Sequence, residues 1–297
     1  MMTKQAFLAL ALAVLVAQSG YAAHAAVATT AIGQAETGVF IGVGQTFQHE
    51  TDTIDLKPID SENGTLAAYT VGLMGIDRHV GGLYWRLGAT VTTGSSHYQG
   101  DVHMGLPAQA STSQRLDRIA GRLGLVINGP WWHDSRAVFA PYVGFGFQRW
   151  ARDIADGSLP GGQEYTSDGH IGLGLHGDYA LARHWVIAIW ALTGYTVGAQ
   201  VSGTDPVAVN TATGEGRSAS ATEALGDRPY RTVGATIIYL ASRRWRIAVR
   251  IRRARWAYGE SAPIPIVSQS GAVLGEFTDP GCTVTQTLVA LDVRTVF

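Results

Sequence analysis

The sequence predicts an all-β protein, an antiparallel up-and-down barrel that crosses a membrane with its strands. Ten segments of the chain alternate apolar with small or polar residues, which is the two-residue period of β-strands. The connections between these segments are alternately short and long, as in transmembrane barrels. Only 15% of the 297 residues are charged, whereas an average soluble domain carries roughly 25%.

The first 25 residues are expected to be a signal peptide. Lys4 supplies a positive charge, residues 7–17 form an apolar run, and a small-residue A-x-A cleavage motif ends at Ala25. The run is shorter than the roughly 20 residues of a membrane-spanning helix. We therefore expect an exported chain with a single barrel domain over residues 26–297.

Ten strands are predicted, each longer than the 5–6 residues common in soluble proteins and long enough to cross a bilayer at a tilt. They are expected at residues 37–49, 64–77, 82–93, 113–127, 137–152, 163–179, 184–197, 226–240, 244–258 and 281–297. The long connections are expected to be extracellular loops at residues 50–63, 94–112, 153–162, 198–225 and 259–280. Eight or twelve strands remain alternatives. An even number places both termini on the periplasmic side, with the short turns.

The alternation assigns a face to each residue of a strand. In the third segment Leu83 and Leu87 share one face, whereas Tyr84 and Arg86 share the other. Apolar residues outside and polar residues inside are typical of a membrane barrel. Six aromatic residues are expected near the two membrane interfaces: Trp85, Trp150, Trp185, Tyr195, Trp245 and Trp256. Residues 184–204 alone could form a membrane helix, but their β-branched and aromatic composition favours a strand.

The carboxyl end carries the most specific motif. Val289, Leu291 and Val293 alternate with small or polar residues, and the chain ends on the aromatic residue Phe297. This pattern resembles the terminal strand of bacterial outer-membrane β-barrel proteins. The resemblance implies a place in the outer membrane of a Gram-negative bacterium and recognition of this strand by the barrel-assembly machinery.

The strand number and chain length also resemble the omptin surface proteases. That family uses an acidic pair and an Asp-x-His pair on the extracellular rim. Here the connection at residues 94–112 offers only Asp101 near its tip, and the connection at residues 198–225 contains no histidine. The catalytic set is not matched, so no catalytic residue is assigned.

The inward faces are expected to hold a charge cluster, because an arginine facing lipid at the midplane costs about 2–4 kcal/mol. The predicted cluster comprises Arg86, Arg118, Arg122, Arg244, Arg246, Arg250, Arg252, Arg294, Glu164, Asp168, Asp178 and Asp292. One interpretation is a network of ion pairs that fills the lumen. The other is a narrow water path that prefers anions, since arginines outnumber acids and arginine rings select anions in pores.

His97, Asp101 and His103 are weaker candidates in the second long connection. They could polarise a water molecule or hold a metal ion, although a solvated polar loop has the same composition. No metal site and no cofactor are assigned. The one cysteine, Cys282, excludes an intramolecular disulfide.

Three functions are compatible with these features. We expect a surface or structural barrel, with adhesin-like loops as one form of it. The alternatives are a narrow anion-preferring channel and a membrane-embedded hydrolase. The expected partners are outer-membrane lipid and lipopolysaccharide, with a small anionic solute or a surface ligand as a further candidate. A net charge of −1 gives no basic face for nucleic acid.

Overall fold

The computed structural model describes residues 31–54, 57–77, 81–102, 106–127, 136–155, 162–205, 219–267, 273–278 and 280–296. The predicted signal peptide lies outside these residues, as do His103 and Phe297. Thirteen strands are present within them. They are β1 (Gly38–Ile54), β2 (Lys57–Ile76), β3 (Leu83–Val102), β4 (Leu106–Leu125), β5 (Ala137–Ala155), β6 (Gly162–Ala182), β7 (Trp185–Asp205), β8 (Ala219–Ala224), β9 (Pro229–Leu240), β10 (Trp245–Tyr258), β11 (Ile264–Val267), β12 (Val273–Phe277) and β13 (Gly281–Thr295).

Ten of these strands form one closed antiparallel barrel, which confirms the predicted fold and strand number. Strands β1 to β7 are neighbours in chain order, and β9, β10 and β13 complete the wall. β13 pairs with β1, so the barrel has no free edge. Short β8 pairs with the outer part of β7, and β11 and β12 form a separate hairpin.

The two ends of the barrel differ in their connections. β1 begins and β13 ends at the same rim, where Val39 pairs with Thr295. The short turns after β6 and β9 lie at this rim too. Because short turns and both termini mark the periplasmic side of outer-membrane barrels, we assign this rim to the periplasm and the opposite rim to the exterior.

An apolar belt surrounds the outside of the barrel. It is made of outward side chains that a soluble protein would bury, such as Leu173, which is 69% exposed. Towards the exterior the belt ends at Phe47 of β1, Val91 of β3 and Ile251 of β10, and the next outward residues are polar. Closure of the backbone hydrogen bonds and an apolar exterior are the two requirements for crossing a bilayer with strands. Among the described residues no helix is long and apolar enough to cross a membrane.

Several predicted loops are wrong, because the strands continue beyond the belt. β1 and β2 pair through the expected loop at residues 50–63, and β3 and β4 pair through most of the one at residues 94–112. Outside the bilayer neither face of a strand needs to be apolar. The polar composition of these residues therefore suggested loops although the backbone ladder continues.

Two of the aromatic residues expected at the membrane interfaces lie elsewhere. Trp150 and Trp256 point into the barrel and are almost fully buried, rather than lying at a membrane interface. Trp256 shares the inward face of β10 with Arg246 and Arg250, and the two-residue period of that strand requires this orientation.

Candidate functional site

The periplasmic mouth of the barrel is filled by the residues that precede β1. Residues 31–35 form a short helical segment, and Ile32, Ala35 and Glu36 are buried. Arg294 on β13 donates to the carbonyl oxygen of Ala35 at 3.2 Å and to Oε1 of Glu36 at 3.0 Å. Oε2 of Glu36 lies 4.0 Å from Arg86. We call residues 31–36 the periplasmic plug.

A buried histidine–aspartate pair lies beside the plug. Nε2 of His176 is 2.9 Å from Oδ2 of Asp178, and the imidazole stacks on the ring of Tyr84 with centroids 4.5 Å apart. Possible ligand atoms of Glu36, His176 and Asp178 lie within 4.8 Å of one another, so these residues could hold a metal ion. Arg294 already neutralises the carboxylate of Glu36, which makes an ion pair network the simpler description of this end.

Above the plug lies a cavity of about 70 Å³ lined by five arginines. We call it the arginine chamber, and its arginines are Arg86, Arg118, Arg122, Arg250 and Arg252. Four of the five guanidinium groups, all but that of Arg252, lie over aromatic rings, and this contact offsets part of the repulsion between the positive charges. The carbon of the Arg86 guanidinium is 4.4 Å from the ring centroid of Phe40, and that of Arg122 is 4.8 Å from the ring centroid of Trp190.

The chamber has more arginines than acids. Arg250 donates to Oδ1 of Asp292 at 3.0 Å and to the hydroxyl of Thr70 at 2.9 Å. Arg118 donates to the amide oxygen of Gln148, which carries no charge. Arg252 has no hydrogen bond or ion pair within the described part of the chain. Buried positive charge without a matching acid is costly, and the chamber carries an excess of it.

A polar layer separates the arginine chamber from the exterior. The hydroxyl of Tyr258 and the amide nitrogen of Gln148 donate to Oδ1 of Asp168 at 2.7 and 2.8 Å, and the indole nitrogen of Trp256 donates to the Tyr258 hydroxyl at 3.0 Å. All four side chains are buried. His170 stacks on the ring of Tyr230 at 4.2 Å, so the spacing of Asp168 and His170 in the sequence does not produce an acid–base pair here.

The extracellular mouth carries the opposite charge. Arg152 lies among three glutamates, at 3.3 Å from Glu50, 2.5 Å from Glu62 and 3.4 Å from Glu164. We call these four residues the acidic mouth. Burial raises the pKa of Glu50 to about 8, against the opposing effect of Arg152. Three carboxylates around one guanidinium exceed the charge that it can neutralise.

Cys282 lies at the edge of the acidic mouth and its thiol donates to Oε1 of Glu50 at 3.2 Å. Burial raises the pKa of this thiol, and the nearby carboxylates of Glu50 and Asp52 raise it further. The thiol is therefore protonated at neutral pH and is a poor nucleophile. Atoms of Glu50, Asp52 and Cys282 lie within 4.8 Å of one another, which is a possible arrangement of metal ligands.

Most residues of the predicted lumen cluster point inwards. These are Arg86, Arg118, Arg122, Arg246, Arg250, Arg252, Arg294, Glu164, Asp168, Asp178 and Asp292. They are divided among the surroundings of the plug at the periplasmic end, the chamber, the polar layer and the acidic mouth, rather than forming one lining. The placement of Arg244 inside the barrel is wrong. It is exposed in the turn at residues 241–244, because β10 begins only at Trp245.

Two of the weaker candidates, His97 and Asp101, and three residues of the terminal motif lie on the wall. His97 is exposed on the outer face of β3, and Asp101 follows four residues along the same strand, or roughly 13 Å at about 3.3 Å per residue. Val289, Leu291 and Val293 face outwards in the apolar belt. Their outward orientation is compatible with a lipid-facing terminal strand, and recognition by the assembly machinery stays a prediction.

A hydrogen-bonded set of three side chains lies on the outer face of the wall, where no site was predicted from the sequence. Nδ1 of His49 is 2.7 Å from Oδ1 of Asn63, and Nε2 of His49 is 3.3 Å from the hydroxyl oxygen of Thr51. His49 and Thr51 are successive outward residues of β1, and Asn63 is the register partner of His49 on β2. We call these residues the outer-wall triad. In the sequence the triad is signalled only by His49 and Thr51, two polar residues that alternate onto the outward face of β1 just beyond its apolar stretch.

No protein-family model matches the sequence, and no curated protein matches it. Solved structures of outer-membrane barrels are similar to it in fold. The outer membrane protease OmpT from Escherichia coli aligns with a TM-score of 0.53 at 10% identity, over 88% of this chain and 97% of that one. OprG from Pseudomonas aeruginosa aligns with a TM-score of 0.33 at 12% identity, over 88% and 98% of the two chains. The closed ten-stranded wall, its apolar belt and the likeness to OmpT show that the chain has the fold of outer-membrane β-barrel proteins.

Proposed function

We propose that the chain is a non-conducting surface protein of the outer membrane, which uses its barrel as a scaffold. The observation that carries this proposal is the periplasmic plug, in which Glu36 is held by Arg294 and approached by Arg86. The buried hydrogen bonds of Asp168 with Tyr258 and Gln148 add a second layer across the lumen. Two successive filled layers support a barrier to ions.

The scaffold raises a sheet above the membrane. On β1 the belt ends at Phe47 and the strand continues to Ile54, which adds roughly 20 Å of strand at about 3.3 Å per residue. β2, β3 and β4 extend beside it, in continuous register except for a shift between β1 and β2 at Asp52 and Thr53. A rigid extracellular sheet suits contact with a surface ligand, since an ordered backbone loses little conformational entropy on binding.

The test is single-channel recording of the purified protein in a planar bilayer. We expect no discrete current steps from the native chain, with folding confirmed by heat-modifiable gel mobility. Arg294→Ala removes the donor that holds the plug and should produce intermittent steps. As a matched control, Arg231→Ala removes an exposed arginine of the outer wall and should leave the bilayer silent. Steady steps from the native chain would contradict the proposal.

The second candidate function is a narrow pathway for small anions. It is favoured by the arginine chamber, where five arginines face two acids among the described residues: Asp292 pairs with Arg250 at 3.0 Å, and Glu36 approaches Arg86 to 4.0 Å. If the native protein conducts, the reversal potential in a salt gradient should indicate anion preference. Arg252→Gln should lower that preference without closing the pore, because Arg252 has no hydrogen bond or ion pair to lose within the described residues.

We also propose lipopolysaccharide as a lipid partner of the outer wall. Arg231, Arg253 and Arg255 are exposed on neighbouring strands immediately beyond the belt, and Arg231 and Arg255 are register partners. No acidic partner of these arginines occurs within the described residues. Phosphate groups of lipopolysaccharide lie at this depth, and arginine binds phosphate through paired hydrogen bonds. Co-purifying lipopolysaccharide should fall when Arg253 and Arg255 are both changed to Gln, and an unchanged amount would argue against this contact.

A further inference from the structure

We propose that the outer-wall triad, Thr51, His49 and Asn63, cleaves acyl esters of membrane lipid. A hydroxyl, an imidazole and an amide oxygen are joined here in one hydrogen-bonded chain, at 3.3 and 2.7 Å. Nucleophile, base and orienting group in this order are the parts required for acyl transfer, and they recur on unrelated folds. This activity is independent of whether the lumen conducts.

The direction of the hydrogen bonds gives each residue its role. Asn63 can accept the proton on Nδ1 of His49 through its amide oxygen, which fixes the tautomer with a free lone pair on Nε2. That lone pair faces the hydroxyl of Thr51, at a distance that binding of a substrate would shorten. Thr51 and His49 are the catalytic residues, and Asn63 is a positioning residue.

The depth of the triad selects the substrate class. Phe47 is the last outward apolar residue of β1, and His49 and Thr51 follow it on the same face. A lipid that lies along the belt with its acyl chains would therefore place its ester groups beside the triad. A soluble ester or a peptide would have no such alignment. The charged residues near the triad narrow the substrate class further.

The neighbouring strands supply positive charge at the same level. His49 pairs with Thr285 of β13, Thr285 pairs with Arg255 of β10, and Arg255 pairs with Arg231 of β9. Adjacent strands lie about 4.8 Å apart, so the backbone of Arg255 is roughly 10 Å from that of His49. A phosphate group bound by Arg255 would leave the ester region of the same lipid within reach of Thr51. The substrate class is an acyl ester of an anionic membrane lipid.

An irregularity of the wall lies beside the nucleophile. The register of β1 and β2 shifts between Asp52 and Thr53, and Ile59 is left without a partner residue on β1. A bulge interrupts the backbone ladder and is a point where an amide can be released from it. Acyl transfer needs such a donor for the oxyanion that forms on the ester carbonyl.

The reaction proceeds in two balanced steps. The Thr51 oxygen attacks the ester carbonyl carbon while its proton passes to Nε2 of His49. The bond from that carbon to the alcohol oxygen then breaks, and His49 returns the proton to the leaving alcohol. Water, deprotonated by His49, cleaves the resulting Thr51 acyl ester, which releases the fatty acid and restores the hydroxyl. No cofactor, oxidant or reductant is needed.

The test measures release of fatty acid by the purified full chain. One arm uses phosphatidylglycerol vesicles and the other uses lipopolysaccharide aggregates, so the two arms separate the two sources of the ester. Thr51→Ala and His49→Gln should each lower the rate at least about 100-fold, the usual scale of general-base catalysis. Thr51→Ser should retain activity, because the primary hydroxyl keeps the nucleophile and is less hindered.

Asn63 requires its own comparison, because it acts through His49. Asn63→Ala should lower kcat by about tenfold or more with little change in KM, whereas Asn63→Asp should restore kcat by accepting the same proton. Thr65→Ala is the matched control, since Thr65 is the next outward residue of β2 and should have no effect. Folding of each variant is checked by heat-modifiable gel mobility.

Two outcomes would overturn the proposal. One is the absence of fatty-acid release from both lipids by the folded native chain. The other is release that Thr51→Ala leaves unchanged, which would place the reaction elsewhere. Neither outcome bears on the bilayer recordings, so failure of the esterase is distinguishable from failure of the non-conducting scaffold.

Discussion

At the scale of single residues, the protein concentrates charge inside a wall that faces lipid. The acidic mouth holds three glutamates around Arg152, whereas the arginine chamber holds five arginines near two acids, Asp292 and Glu36. The excess negative charge of the acidic mouth and the excess positive charge of the arginine chamber lie at different depths in the barrel. Neither is neutralised by its own neighbours, so each makes the barrel sensitive to protons or to bound ions.

The acidic mouth should make the stability of the barrel depend on pH. The pKa of Glu50 is raised by burial from 4.5 to about 8, so the folded state binds this proton more tightly than the unfolded state. The stabilisation is complete below about pH 4.5 and is lost as pH rises towards 8. We expect the unfolding temperature to fall between pH 5 and pH 8, measured by heat-modifiable gel mobility.

Glu50→Gln should flatten this dependence, because the amide cannot lose the proton. Asp117→Asn is the control, since Asp117 is exposed on the outer wall and hydrogen-bonds to Arg115 alone among the described contacts. If the Glu50→Gln variant shows the same pH dependence of its unfolding temperature as the native chain, another group binds the proton that causes this dependence.

At the scale of the elements, close approach of paired strands limits which residues fit inside the wall. Gly172 of β6 and Gly194 of β7 are register partners. A Cβ added at Gly194 would lie 2.0 Å from the carbonyl oxygen of Ile171, which is backbone and cannot move away alone. The same hairpin contains Gly169, where an added Cβ would have no neighbour closer than 3.4 Å.

Gly194→Ala should therefore destabilise the barrel by about 1–3 kcal/mol, the usual cost of overpacking, whereas Gly169→Ala should be nearly neutral. Both variants change one hydrogen to a methyl group within one pair of strands, so they form a matched test. The measurement is the denaturant midpoint of each refolded protein in vesicles. Equal midpoints would mean that β6 and β7 separate easily at this point.

At the scale of the whole molecule, the sequence predicts the wall far better than its contents. The two-residue period along β3 and β10 fixes which side chains face lipid, so the ten strands and most inward charges follow from local pattern. The periplasmic plug does not, because Ile32 and Glu36 are buried only by a barrel that the rest of the chain forms. The outer-wall triad depends on the register of β1 and β2, which sequence parity alone leaves open.

The apolar belt gives the whole-molecule prediction that separates a membrane barrel from a soluble one. Leu173 is 69% exposed between Ile171 and Leu175 of β6, which is the middle of the belt on that strand. Leu173→Arg should lower the free energy of unfolding in a bilayer by about 2–4 kcal/mol, because the guanidinium would face hydrocarbon. Gln99→Arg places the same side chain outwards on β3 beyond the belt and should change stability little. In detergent micelles, which deform around a charge, the difference between the two variants should shrink. A Leu173→Arg barrel as stable in vesicles as the Gln99→Arg barrel would mean that this face does not contact lipid.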